Sequence, residues 1–238
     1  MKIERVDPTP EDYLLRQARE DDARVTGKKL VEPVHHYRNT QTGQLYYSLY
    51  GAIGWPNIIS DKPKATNRPG YLAIVGIIKG KRPAESAYIQ LLAESESHSI
   101  GVLLDEMVRL RSEYGFGLHP SLLSSWYGDQ ERFVMEIAAR NDALIKSGGD
   151  RQAILIHTPL DFYDVKAFDL YVRALTEALS NRNQRLFYGG NEILKNRVGE
   201  YSEKDPVIVG MGGLVYSLTL SMPWMDMVQE NAFNVEEG

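Results

Sequence analysis

The order of the apolar segments constrains the fold of this chain more than any other feature. Three stretches rich in Tyr, Ile, Val and Leu follow one another at residues 45–53, 71–78 and 87–93. This composition is typical of β-strands. Pro and Gly residues in the two connections favour turns, so the sequence predicts an antiparallel meander in which the three strands are neighbours.

The spacing of apolar residues changes after Ser99, a favourable helix N-cap. From Ile100 onward they recur every three or four positions, which predicts a helix that ends near Gly115. A short apolar stretch follows at 122–127. The next predicted elements are a helix at about 130–146, a brief strand at 153–157 and a helix at 165–179.

This element order predicts an α/β fold of the ribonuclease-H-like type. In that fold a mixed five-stranded sheet is flanked by helices, and the fourth and fifth strands join parallel to the first. We assign this domain to residues 41–222. Residues 11–25 are highly charged with a narrow apolar stripe, which predicts a peripheral helix, so we assign residues 1–40 to an N-terminal arm and residues 223–238 to a C-terminal tail.

Composition narrows the classes of function. The 238 residues carry 27 basic and 32 acidic side chains, so a net charge of −5 gives no global field to attract nucleic acid. The absence of cysteine excludes disulfides, thiolate metal sites and a cysteine nucleophile. The start of the chain is charged and no segment has the apolar length of a membrane span, so we expect a cytoplasmic protein without a membrane partner.

Short motifs within residues 45–218 resemble the C-terminal nuclease domain of phage terminase large subunits. The motifs are the strand at 71–76, Trp126-Tyr127-Gly128-Asp129, the helix at 165–179, Arg185-Leu186-Phe187, a charged helix at 192–201 and Asp205-Pro206-Val207. The resemblance covers roughly three quarters of the chain. It implies a role in viral DNA packaging inside the bacterial host cell, with double-stranded DNA and other phage packaging proteins as partners.

The resemblance also implies a chemistry, namely two-metal hydrolysis of a phosphodiester. Carboxylates from separate strands and from the last helix would hold two Mg²⁺ or Mn²⁺ ions, which activate water and stabilise the leaving oxygen. The candidate catalytic residues are Asp129, Asp205 and Asp61, and the first two are also the candidate metal ligands.

The expected set of carboxylates is nevertheless incomplete in this sequence. Residues 45–54 contain no acid where the family places an aspartate on its first strand, and Asp61 is the nearest acid downstream. Val209 stands where the last helix should present a second aspartate. Of the core positions, Asp129 matches the pattern best. The sequence therefore predicts a degenerate active site and leaves open whether cleavage is retained.

Both aspartates also have a purely structural interpretation. Asp129 directly precedes a predicted helix, where Asp is a favoured N-cap. Asp205 precedes Pro206, and a cap followed by Pro is a common helix start.

Basic residues cluster in the two predicted hairpin connections and could contact a DNA backbone, although ordinary solvated turns have the same composition. The candidate nucleic-acid-binding residues are Lys62, Lys64 and Arg68 in the first connection and Lys79, Lys81 and Arg82 in the second.

The segment 207–213 runs from apolar residues into three glycines. A dinucleotide-binding turn would need a glycine at Val215 and a longer following segment. We therefore favour a helix whose small residues allow close packing.

Two hypotheses of different class follow. The first is a terminase nuclease-like domain whose packaging motor is a separate chain, because no Gly-x-x-x-x-Gly-Lys-Ser/Thr motif occurs. The second is a non-catalytic scaffold or protein-interaction module on the same fold.

Overall fold

The computed structural model describes thirteen parts of the chain. They are residues 3–6, 17, 21, 24–25, 36–55, 68–78, 88–114, 121–124, 130–149, 157–159, 165–180, 185–198 and 205–221.

The described residues contain eight strands and five helices. The strands are β1 (Ile3–Val6), β2 (His36–Asn39), β3 (Leu45–Gly54), β4 (Gly70–Ile78), β5 (Tyr88–Ser97), β6 (Ser121–Ser124), β7 (His157–Pro159) and β8 (Leu186–Phe187). The helices are α1 (Ile100–Tyr114), α2 (Gln130–Lys146), α3 (Val165–Leu179), α4 (Ile193–Arg197) and α5 (Pro206–Ser221). None of these five helices has the length and apolar character to cross a membrane.

The sheet has the predicted ribonuclease-H-like arrangement. Strands β3, β4 and β5 form an antiparallel meander, β6 pairs parallel with β3, and β7 pairs parallel with β6. The order β5-β4-β3-β6-β7 confirms the predicted fold class. Strand β8 extends it by pairing parallel with β5. The fifth core strand, predicted at 153–157, lies at His157–Pro159 among the described residues.

The N-terminal region differs from the predicted helical arm because it contains two strands, β1 and β2. Strand β1 pairs antiparallel with β2, and β2 pairs with the first residues of β3. Ile3 and Tyr37 are buried in the core on one side of the sheet, so these short strands belong to the domain. The described residues 17, 21, 24 and 25 do have helical backbone, and Val25 is exposed.

The core has two layers, one on each face of the sheet. Strand β4 is central, and its side chains alternate between them: Tyr71 and Ala73 join the layer under α3 and α5, whereas Leu72 and Ile74 join the layer under α1. A strand buried on both faces is expected to be largely apolar, which explains why 71–78 contains no charged residue.

Helix α5 packs very closely on the sheet and on helix α3 because it carries glycine where backbones meet. A Cβ atom at Gly210 would lie 2.9 Å from the backbone nitrogen of Gly54, and one at Gly212 would lie 2.7 Å from the carbonyl oxygen of Tyr171. These distances confirm that Gly210 and Gly212 serve close helix packing. They also place the start of α5 against the end of β3.

Candidate site at the sheet edge beside Asp205

The carboxyl ends of β3 and β6 meet at one edge of the sheet. Gly54, the last residue of β3, pairs with Ser124 of β6 and with Tyr71 of β4. The backbone of Pro206 lies so close that a Cβ atom on Gly54 would be 1.8 Å from its carbonyl oxygen. Asp205, which precedes Pro206, is therefore brought to the edge where parallel strands end, a common location for sites in α/β folds.

Asp205 caps α5. Its Oδ1 accepts a hydrogen bond from the backbone N–H of Val207 at 3.0 Å, and its backbone oxygen accepts one from the N–H of Val209 at 3.0 Å. The carboxylate also lies at the positive end of the helix dipole. These contacts confirm the capping interpretation of the Asp205-Pro206 pair.

The other oxygen of Asp205 faces two arginines. Nη1 of Arg68 forms an ion pair with Oδ2, and Nη1 of Arg197 lies 3.9 Å from the same oxygen. The side chain of Asp205 is only 1% exposed, whereas those of Arg68 and Arg197 are 34% and 27% exposed. The carboxylate is therefore an internal anion between a helix N-terminus and two guanidinium groups.

Arg197 joins this group to strand β5. Its Nη2 lies 3.6 Å from Oε1 of Glu96. The pKa of Glu96 is raised, chiefly by burial; the charges of Asp205 and Glu94 raise it further, whereas those of Arg197 and His98 oppose the rise. The folded protein therefore disfavours the ionised form of Glu96, and the positive charge of Arg197 only partly offsets this effect.

Glu94, two residues earlier on β5, caps α4. Its Oε1 accepts the N–H of Ile193 at 2.7 Å and its Oε2 accepts the N–H of Leu194 at 2.9 Å. The hydroxyl of Tyr71 donates to Oε2 at 3.0 Å. Burial, followed by the negative charge of Glu94, raises the pKa of Tyr71 well above its usual range, so this hydroxyl remains a donor.

The sequence prediction missed Glu94, Glu96 and Arg197. It ended the third strand at residue 93, whereas β5 continues to Ser97. The spacing of Glu94 and Glu96 could have indicated that the strand continues past residue 93. Residues two apart on a strand lie on the same face of the sheet, so both carboxylates would be expected on one face. We name the group Arg68, Glu96, Arg197 and Asp205 the edge cluster.

The structure brings Arg68 and Asp205 together, although they were predicted for different roles. The other candidate residues lie outside the described residues: Asp61, Lys62, Lys64, Lys79, Lys81, Arg82 and Asp129. Their predicted roles therefore stay predictions.

The edge cluster does not fit a two-cation centre. Among the described residues no group of three or more His, Asp or Glu side chains is placed to hold a metal ion. Asp205 uses Oδ1 for a backbone N–H and Oδ2 for arginine, so both of its oxygens are already engaged. A divalent cation would also have to approach two permanent positive charges.

Comparisons with known proteins give a structural likeness but no match in sequence. No protein-family model matches the chain, and no curated protein matches it. Among solved structures, the large terminase nuclease from thermophilic phage G20c aligns with a TM-score of 0.43 and 13% sequence identity. The alignment covers 79% of this chain and 92% of that chain. The fold assignment itself comes from the order and direction of the strands.

Proposed function

We propose that this chain is a ribonuclease-H-like domain of the phage terminase nuclease type that binds double-stranded DNA during packaging and does not cleave it through Asp205. The fold and the sequence motifs support the class. The observation that carries the proposal is the state of Asp205, whose two carboxylate oxygens are engaged by a helix N-terminus and by arginine.

The electrostatics of the edge cluster support a non-cleaving role. Two-metal hydrolysis needs several carboxylate oxygens that are open to hard cations. Here the guanidinium groups of Arg68 and Arg197 already supply the positive charge beside Asp205. Arginine stays protonated at all physiological pH values, so this charge is permanent. Mg²⁺ or Mn²⁺ would be required only if other carboxylates, including Asp129 and Asp61, formed a separate centre.

The DNA-binding part of the proposal rests on local charge. The chain is acidic overall, so a DNA contact must come from basic groups such as those of the two hairpin connections. Arg68 is the described member of this set, and its side chain is one third exposed at the sheet edge. The other partners of the chain would be phage packaging proteins in the cytoplasm of the bacterial host.

A plasmid assay tests the proposal. Wild-type protein is incubated with supercoiled DNA and Mn²⁺, and binding is measured in parallel by fluorescence anisotropy of a labelled duplex across a salt series. We expect salt-sensitive binding and no nicking. Mn²⁺-dependent cleavage that is lost in Asp129→Ala and in Asp205→Asn would show an active nuclease instead, and salt-independent or absent binding would refute the DNA-binding role.

A second function, a non-catalytic interaction module, is favoured by the surface of α2. Val134, Met135 and Ile145 are 45%, 71% and 56% exposed among the described residues. At about 100° per residue, Val134 and Ile145 lie almost in line along the helix, and Met135 lies about 100° around the helix axis from Val134. In this function the side chains would bury against another phage packaging protein. Solution mass decides between the functions: a monomer that binds DNA supports the first, and a stable oligomer indifferent to DNA supports the second.

A further inference from the structure

We propose that Arg68 and Arg197 together form a clamp for one phosphate of the DNA backbone, with Asp205 as the internal anion that orients both guanidinium groups. This inference rests on the proposed DNA-binding function. It assigns a role to Arg197, which sequence analysis did not select, and it gives Arg68 a specific partner.

Convergence of the two side chains is the first observation. Nη1 of Arg68 and Nη1 of Arg197 approach the same atom, Oδ2 of Asp205, and the longer of the two distances is 3.9 Å. The arginines come from different elements, the connection before β4 and helix α4. A single buried oxygen therefore faces two guanidinium groups, of which that of Arg68 is bonded to it and that of Arg197 lies 3.9 Å away.

The gradient of burial is the second observation. Asp205 is 1% exposed, whereas Arg68 is 34% and Arg197 27% exposed, so the anion lies inside and the cations reach the surface. In the part of the chain that the structure describes, the ion pair of Arg68 uses Nη1, which leaves Nε and Nη2 as donors toward a ligand. Paired N–H donors of arginine match the oxygens of a phosphate.

Local charge is the third observation. The charges of Arg68 and Arg197 are opposed by those of Asp205 and Glu96, but the N-terminus of the 16-residue helix α5 also offsets part of the negative charge of Asp205. Burial disfavours the ionised form of Glu96 as well. The surface side of the edge cluster therefore carries more effective positive charge than a count of formal charges gives.

The test measures duplex binding by anisotropy against salt concentration. Each neutralised phosphate contributes about 0.9 to the slope of log K against log salt. If the two arginines share one phosphate, the double variant Arg68→Gln/Arg197→Gln loses about 0.9 of slope, whereas two independent contacts would lose about 1.8. We expect each single variant to weaken binding about tenfold.

Two further variants separate a clamp from a merely structural ion pair. Arg109→Gln is the matched control, because Arg109 also bonds two carboxylates, Glu106 and Glu113, but lies on α1 away from the edge cluster. It should bind DNA like the wild type. Arg197→Lys keeps the positive charge and loses the fork, so it should fold and yet bind several-fold more weakly.

The outcomes distinguish this inference from the function on which it rests. If wild-type protein does not bind duplex DNA, both fail. If it binds and the folded variants at Arg68 and Arg197 keep its affinity and slope, the clamp alone is refuted. If the double variant does not fold, the single variant Arg197→Lys replaces it, and an affinity of Arg197→Lys equal to that of wild type also refutes the clamp alone.

Discussion

The guanidinium of Arg68 forms an ion pair with the carboxylate of Asp205, 137 positions later in the chain. The contact joins the connection before β4 to the first turn of α5. Because the same carboxylate also caps α5, one buried side chain fixes the last helix and the end of a hairpin connection to a single sheet edge. Two substitutions at Asp205 separate these roles.

Asp205→Asn should lower the free energy of unfolding by about 1–3 kcal/mol, because the cap is kept and the charge that faces Arg68 and Arg197 is lost. Asp205→Ala should cost about 1 kcal/mol more, since the hydrogen bond to the Val207 N–H is lost as well. Urea unfolding measures both. Asp142→Asn, which breaks the exposed pair with Lys146, is the control and should cost less than about 0.5 kcal/mol. Equal stability of Asp205→Asn and wild type would contradict a stabilising ion pair.

Gly210→Ala should destabilise the protein by about 1–3 kcal/mol, because the new methyl would meet the backbone of Gly54 at 2.9 Å and neither backbone can move freely. Gly101→Ala is the matched control on another helix. Its methyl would meet the end of the Arg140 side chain at 2.9 Å, which can shift, and alanine is the better helix former by about 0.5–1 kcal/mol. In thermal unfolding, the Tm of Gly210→Ala should therefore fall and that of Gly101→Ala should rise. A Gly210→Ala protein as stable as wild type would refute the close contact.

Glu96 should make stability depend on pH. Its pKa is raised in the folded protein, so its contribution is fully present below the ordinary glutamate pKa and is lost as pH rises through the raised value. The difference in unfolding free energy between wild type and Glu96→Gln should therefore decrease from pH 4 toward neutral pH.

Glu106 provides a control of opposite sign. Hydrogen bonding to Arg109 lowers the pKa of Glu106, so its contribution is present above the ordinary glutamate pKa and is lost as pH falls through the lowered value. The free energy of unfolding of the wild type should increase relative to that of Glu106→Gln as pH rises. Urea unfolding of the three proteins over the same pH series measures both trends, and parallel trends for the two variants would contradict the assignment of a raised pKa to Glu96.

Tyr71→Phe should lower the free energy of unfolding by about 1.5 kcal/mol, because the buried hydroxyl donates a hydrogen bond to the carboxylate of Glu94. Tyr46→Phe is the comparison on the neighbouring strand, where the hydroxyl donates to the neutral amide oxygen of Gln90 at 3.1 Å. It should cost less, about 0.5–1 kcal/mol. Chemical denaturation at pH 7 ranks the two, and the reverse order would show that Glu94 is not the stronger acceptor.

Local patterns in the sequence predicted much of the fold. The meander of β3, β4 and β5 follows from apolar runs between turn residues, and α3 follows from apolar residues at helical spacing. Strands β1 and β2 escaped prediction because four residues are too few to show an alternating pattern, and their burial depends on pairing with each other. The extra residues of β5 were missed because Glu94 and Glu96 resemble a loop until α4 and α5 are placed against them.

The edge cluster could not be predicted as a group. Glu96, Arg197 and Asp205 come from three elements, and long-range pairs leave no trace in spacing. For Asp205 the sequence left two interpretations open, a metal ligand and a helix cap, and the hydrogen bond to the Val207 N–H confirms the cap, which Pro206 indicated because capping is local. Its ion pair with Arg68 depends on the close packing of α5 at Gly54, which only the folded chain shows.

Thermal unfolding with and without Mn²⁺ tests the central claim most directly, since a ligand that binds the folded state raises its Tm. The shift caused by saturating Mn²⁺ is measured within each of two proteins, wild type and Asp205→Asn. If Asp205 is held by Arg68 and Arg197 instead of a metal, the two shifts are equal. A rise in Tm that wild type shows and Asp205→Asn lacks would contradict the account.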